Sequence, residues 1–192
     1  MPPFTILHVC VGNICRSPMA ERLLVLALRR RVGEKVERLY VSHGAGTGSW
    51  HVGEPMNAPA ARQLALRGGL ADGFQARRLS DRMIDHSDLI LGATAEQVRD
   101  VLRIRPDAVH KTFVLGEFGR LLKEVDPATL AGPVHERGEA LVRAVDAVRD
   151  GRQPERGDDL DDPWGRGDQV FSRVADEIQA TVGPLAKILI GK

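Results

Sequence analysis

In Cys10-Val11-Gly12-Asn13-Ile14-Cys15-Arg16-Ser17 a thiol and a guanidinium are separated by five residues. A thiolate can attack phosphorus, and a guanidinium can clamp two phosphate oxygens in a fork that lysine cannot copy. The segment follows a short apolar run, Phe4 to Val9, and Ser17-Pro18 then opens a helix-like stretch. A loop between strand and helix aims backbone N–H groups and the favourable end of the helix dipole at an anion. A thiol held there beside an arginine is kept as the nucleophilic thiolate. Its attack on a phosphate ester would give a phosphocysteine, which water then hydrolyses. Gly12 is expected to take a positive φ. Asn13 should tolerate the left-handed region and tie the loop down through its side chain. Ser17 and Pro18 suit the N-cap and N1 positions, and the Ser17 hydroxyl can also reach the sulfur. Cys15 either packs as a small apolar residue or pairs with Cys10 under oxidation. A cysteine and arginine at this spacing recur by chance. The flanking strand and helix, with Gly-Asn-x-Cys-Arg-Ser-Pro between them, lift the segment above that background.

The elements that must hold this loop are legible in part. With 192 residues, 43% hydrophobic and 28% charged, the chain reads as one soluble globular domain. Apolar runs alternate with helical patterns, which predicts an α/β fold with a parallel sheet. Strands are expected at Phe4 to Val9, Val36 to Ser42, Asp88 to Ala93 and Thr112 to Leu115. Helices are expected at Pro18 to Val32, at Pro59 to Leu66 before the Gly68-Gly69 stop, and from a Thr94 cap to about Arg105. Val170, Val174, Ile178, Val182, Leu185 and Leu189 recur at helical spacing, with a kink expected at Pro184. About 126–157 reads as an inserted segment, with one edge helix whose apolar stripe is Leu141, Ala144, Val145 and Val148. Gly151 to Asp168 reads as a mobile surface loop, and its acidic cluster Asp158, Asp159, Asp161 and Asp162 as mostly solvated.

Other classes are disfavoured. A net charge of +1 gives no basic surface for nucleic acid. No signal-peptide pattern and no apolar stretch of about 18 residues occur, so no membrane role and a cytoplasmic location are expected. Both cysteines lie in the loop, which is no disulfide framework and suits a reducing compartment.

Val9 to Glu21 as a whole resembles the signature of the low-molecular-weight protein tyrosine phosphatases. Asp162-Pro163-Trp164-Gly165 is similar to that family's Asp-Pro-aromatic element. Gly46-Thr47-Gly48-Ser49-Trp50 resembles its loop beside the active site, and Ala76-Arg77-Arg78-Leu79 a segment before its third strand. The resemblance implies a four-stranded parallel sheet with helices on both faces and the phosphate loop at its carboxyl edge. It implies Cys10 as nucleophile, Arg16 as phosphate clamp and Asp162 as general acid and then base. Val11, Gly12, Asn13, Ile14, Cys15 and Ser17 would complete the loop, and Asn13 and Ser17 would support Cys10. Pro163 stiffens the chain after Asp162 and favours it over Asp161. Trp50 and Trp164 lie in Gly-rich loops and would wall a slot for a planar phenyl ring. Two departures stand out. Gly44 falls where the family usually has a serine bonded to the loop asparagine, with Ser42 two residues earlier. Phe74 falls where a histidine often joins the same network.

The expected substrate is a phosphotyrosine protein or a small aryl phosphate, with no cofactor and no metal. Rival readings are a protein arginine phosphatase of the same family and a weakly catalytic phosphotyrosine-binding module. Ile14 adds apolar bulk where the arginine phosphatases tend to carry threonine. Arsenate reduction would need further cysteines. A Cys-x-x-Cys redox site does not match the spacing.

Overall fold

The computed structural model describes residues 2–191. Four strands form one parallel sheet: β1 (Phe4–Cys10), β2 (Tyr40–Gly46), β3 (Leu89–Gly92) and β4 (Thr112–Val114), in the order β2-β1-β3-β4. The alternation of β1 builds two cores. Phe4, Ile6 and Cys10 face the larger one, and Leu7 and Val9 the smaller. Helices α1 (Arg16–Val32), α3 (Ala58–Leu66), α6 (Leu115–Leu121) and α8 (Asp168–Ile190) cover the larger core. Helices α4 (Asp81–Asp85) and α5 (Ala95–Ile104) bring Ile84 and Val101 to the smaller one. The expected α/β architecture, with helices on both faces, is therefore present. β1 has β2 on one side and β3 on the other, so the crevice past its carboxyl end is a topological switch point.

The second strand departs from expectation. Val36–Leu39 forms a short helix, α2, and the strand runs four residues later than predicted. Val36 is buried against the core as part of that helical turn. β4 ends at Val114, because Leu115 already begins α6 and Glu117 accepts the Val114 N–H at 3.0 Å. The Thr94 hydroxyl accepts from the Glu96 N–H and caps α5 as expected. α8 is continuous through Pro184.

Within about 126–157 lies α7 (Val134–Arg149), which buries Leu141 and Val145 from the predicted stripe, with Gly138 and Val142. It runs beneath the amino-terminal edge of the sheet, away from the loop. The Phe4 ring occupies the space a Cβ on Gly138 would need. His135 lies 3.9 Å from Asp88, just before β3, and Arg149 donates to the Thr112 carbonyl at 2.8 Å, where β4 begins.

Candidate active site

Chain geometry at the end of β1 makes the loop. Asn13 has φ 53°, in the left-handed region, as its residue type allows. Gly12 does not take a positive φ, contrary to expectation. It is small for another reason: a Cβ there would lie 2.9 Å from His51 Cδ2. The ring of His51 is packed down onto the loop. Gly46 allows an equally close approach from β2, since a Cβ there would sit 2.7 Å from the Val11 carbonyl. The Thr47 and Gly48 N–H groups then donate to Cys10 and Val11 at 3.0 and 2.9 Å.

Helix α1 starts at Arg16, two residues before the predicted start, with Cys15 rather than Ser17 at the N-cap. Ser17 is therefore the second residue of the helix, and its hydroxyl turns to the loop. Asn13 Nδ2 donates to Ser17 Oγ at 2.8 Å, which leaves the Ser17 O–H to point at Cys10 Sγ, 3.0 Å away. The Asn13 N–H reaches the same sulfur at 3.2 Å. Two donors converging on one sulfur serve an anion better than an S–H. Cys15 differs: burial, and then the neighbouring Cys10, push its thiol up to about 12. It is a buried thiol in the core behind the loop.

Arg16 is 5% exposed and held at two points. Its Nη1 donates to the Leu160 carbonyl at 3.2 Å, and its Nη2 to Asp162 Oδ2 at 2.9 Å. Nε is buried without a hydrogen-bond partner among the described residues. The edge formed by Nε and Nη2 is thus the one available to two phosphate oxygens, once Asp162 yields its place.

The acidic segment is a surface loop with Asp159, Asp161 and Asp162 exposed, as expected, but each of its aspartates has a fixed partner and Asp158 is buried. Asp158 is 5% exposed and takes both Nε and Nη2 of Arg120, at 3.2 and 2.8 Å. Its backbone lies so close to Gly116 that a Cβ there would collide with it. Asp159 accepts the Ala95 N–H at 2.7 Å, the first residue of α5. Leu160 is buried and its N–H donates to Ala93 at 2.9 Å. Asp161 faces outward onto Arg173, whose hydrogen bond holds its carboxyl below the usual range. Asp162 alone points at the loop, and its Oδ1 accepts the Trp164 N–H at 3.1 Å.

A cavity of about 210 Å³ lies over the loop, lined by Cys10, Arg16, Ile14, Trp50, Asp162 and Trp164 among others. Val11, Gly12 and Cys15 also border it. Asn13 and Ser17 stand behind the loop as its supports. Trp50 and Trp164 are 65% and 60% exposed, so neither fills a core gap. Gly48 leaves the space into which the Trp50 indole folds. The residue missed in the sequence is His51, which also lines the cavity and is tied through Nδ1 to Glu54 at 2.7 Å. Its only signal was adjacency to Trp50.

The two departures are rebuilt locally. A Cβ on Gly44 would lie 2.7 Å from Asn13 Nδ2 and 3.3 Å from Glu21 Oε2. Glu21 is buried, with its carboxyl raised by burial and held back by Arg77 and Arg22. Asn13 Oδ1 accepts instead from the Arg77 N–H at 2.8 Å. Phe74 is buried in the larger core, with the Arg22 guanidinium 6.0 Å from its ring centroid. Ser42 bonds His8, at 3.1 Å, and not the loop asparagine.

The family model described as low molecular weight phosphotyrosine protein phosphatase matches residues 5–150. The low molecular weight protein-tyrosine-phosphatase Etp of Escherichia coli K12 is 37% identical over 123 residues, covering 64% of this chain and 76% of that one. YfkJ of Bacillus subtilis, of the same description, is 37% identical over 95 residues, covering 49% of this chain and 58% of that one. Among solved structures, Vibrio vulnificus Wzb in complex with benzylphosphonate aligns with a TM-score of 0.66 at 22% identity, covering 95% and 97% of the two chains. The YwlE arginine phosphatase from Geobacillus stearothermophilus aligns with a TM-score of 0.66 at 25% identity, covering 96% and 91%. The chain belongs to the low molecular weight phosphotyrosine protein phosphatase family. Among the described residues no helix is long and apolar enough to cross a membrane.

Proposed function

We propose that the protein is a tyrosine phosphatase that works through a phosphocysteine on Cys10. The carrying observation is the cavity that brings Cys10, Arg16 and Asp162 together beneath two exposed tryptophans. An arriving phosphate dianion takes the Nε–Nη2 edge of Arg16 and displaces Asp162 from it. The released carboxyl is then placed beside the leaving-group oxygen. Cys10 Sγ attacks phosphorus as the bond to the phenolic oxygen breaks, and Asp162 protonates that oxygen. Water then attacks the phosphocysteine and gives its proton to Asp162. The S–P bond breaks, and inorganic phosphate and the thiolate are released. A nucleophile that must remain a free thiol fits a reducing, cytoplasmic setting.

Ile14 and the two tryptophans favour a flat aromatic leaving group over a guanidino group. Phosphotyrosine, phosphoserine and phosphoarginine peptides assayed with wild type and Cys10→Ser test the reading. Turnover of phosphotyrosine alone, lost in Cys10→Ser, is expected. Preference for phosphoarginine would replace the reading with the arginine phosphatase, and tight binding without turnover with a binding module.

A further inference from the structure

Directly behind the phosphate loop lies a second, much smaller cavity. It measures about 10 Å³ and is lined by His8, Arg16, Ser17 and Leu160, with apolar neighbours from β3 and α6. His8 is 1% exposed, in the middle of β1, on the face covered by α1. A buried imidazole in a strand needs both ring nitrogens accounted for. Nε2 lies 3.1 Å from Ser42 Oγ. The Ser42 hydroxyl hydrogen is already committed, since it donates to the Glu21 carbonyl at 3.2 Å. Ser42 Oγ can therefore only accept from His8, so the ring carries its hydrogen on Nε2. That leaves Nδ1 as a bare acceptor, buried and without a partner among the described residues. A neutral ring is also what the surroundings impose: burial, and then His43, lower His8 to about 3.

Arg16 supplies the complementary group. Its Nη1 donates one hydrogen to the carbonyl of Leu160, a residue of the same cavity wall, and has a second N–H to give. The cavity is about the room that one water needs. We propose that His8 is a positioning residue for Arg16, acting through one buried water that accepts from the Arg16 guanidinium and donates to His8 Nδ1. The guanidinium is then fixed from behind at Nη1 by Leu160 and the water, while the Nε–Nη2 edge is left to a phosphate that displaces Asp162. Orientation matters because a bidentate fork loses its second bond with a small rotation. Ser42 extends the chain to α1, so the strand, the helix and the clamp are tied by one line of hydrogen bonds.

This inference rests on the phosphatase reading of the loop, and its test separates the two. Three variants of the full chain divide the functions of the ring. His8→Asn keeps an acceptor near the Nδ1 position, His8→Gln keeps a donor near Nε2, and His8→Leu keeps only bulk. Inhibition by inorganic phosphate and kcat/KM for para-nitrophenyl phosphate are read alongside thermal melting. Loss of one water-mediated bond to a charged group predicts phosphate inhibition about tenfold weaker in His8→Leu and His8→Gln, with His8→Asn within about twofold of wild type. A purely structural role would rank the variants by melting temperature instead. A high-resolution crystal structure of the wild type should show one water within hydrogen-bond distance of His8 Nδ1 and the Arg16 guanidinium. Absence of that water, or His8→Asn no better than His8→Leu, overturns the proposal. A wild type without aryl phosphatase activity overturns the function instead, and the water still decides the role of His8.

Discussion

Arg16 is contested by its neighbours, and that competition sets what single substitutions should do. In the free protein its Nη2 is bound to Asp162, whose side chain is 54% exposed while that of Arg16 is 5% exposed. Half-exposed pairs are weak, roughly 0.2–1 kcal/mol, so a phosphate can displace the carboxylate. Asp162→Asn removes both the proton donor and the competitor. Its kcat on aryl phosphates should fall about 10²–10³-fold, while inorganic phosphate should inhibit about two- to fivefold more strongly. Steady-state kinetics with product inhibition measures both, and weaker inhibition would show that Asp162 does not compete for Arg16. Gly44 gives the opposite lesson. Gly44→Ser restores the residue usual in the family, yet the new Cβ would press on Asn13 Nδ2 and Glu21. The Asn13 amide already bridges Ser17 and Arg77. The variant should therefore lose about tenfold in kcat/KM through a displaced loop. Equal or higher activity would mean that Asn13 can swing aside and accept the hydroxyl as a partner.

At the scale of elements, the segment 158–162 is a strap that carries Asp162 to the loop. Its firmest attachment is Asp158 on Arg120, a pair whose carboxylate side chain is 6% exposed. Without Asp158, Arg120 keeps only Glu155, at 3.1 Å, and the lost charge-assisted hydrogen bonds cost about 2 kcal/mol. Asp158→Ala should lose that much stability in urea unfolding and about tenfold in kcat, because the strap no longer aims Asp162. Full activity at reduced stability would show that Leu160 and Asp159 suffice. None of this was legible in the sequence, where four aspartates within five residues resembled a solvated loop. Their separate partners, Arg120, the Ala95 N–H, Arg173 and Arg16, come from four distant places in the chain. The loop itself was legible because its chemistry is local: Asn13, Ser17 and Cys10 are joined within eight residues. The second strand was misplaced for a related reason. Its last residues, Gly44-Ala45-Gly46, have no strand propensity. They are extended because they pair with His8, Val9 and Cys10, and they are small because the loop passes over Gly46.

Across the whole molecule the sheet divides labour between its two ends. The carboxyl edge holds the loop, and α7 covers the amino edge at Phe4, Asp88 and Thr112. Between them two histidines lie inside: His8, lowered to about 3 by burial and His43, and His43, lowered to about 4 by burial and Arg77. Both are held neutral in the folded state, whereas in the unfolded chain each titrates at about 6.5. The unfolded state therefore binds more protons below pH 6.5. The stability these rings contribute is full above that value and is lost as pH falls toward 4 and then 3. Each ring can contribute up to about 1.4 kcal/mol per pH unit in that window. His8 alone thus costs roughly 2 kcal/mol between pH 7 and 5, with a smaller share from the less buried His43. Glu21 and Glu117 act in the opposite sense, because burial raises their carboxyls and the fold gains as they protonate. Urea unfolding at pH 7, 6 and 5 should show stability falling by about 2–3 kcal/mol. His8→Leu should remove most of that slope, while the pH 7 value changes by the packing cost and the lost hydrogen bond to Ser42. A slope unchanged in His8→Leu would mean that the ring is already protonated, or solvated, in the folded protein.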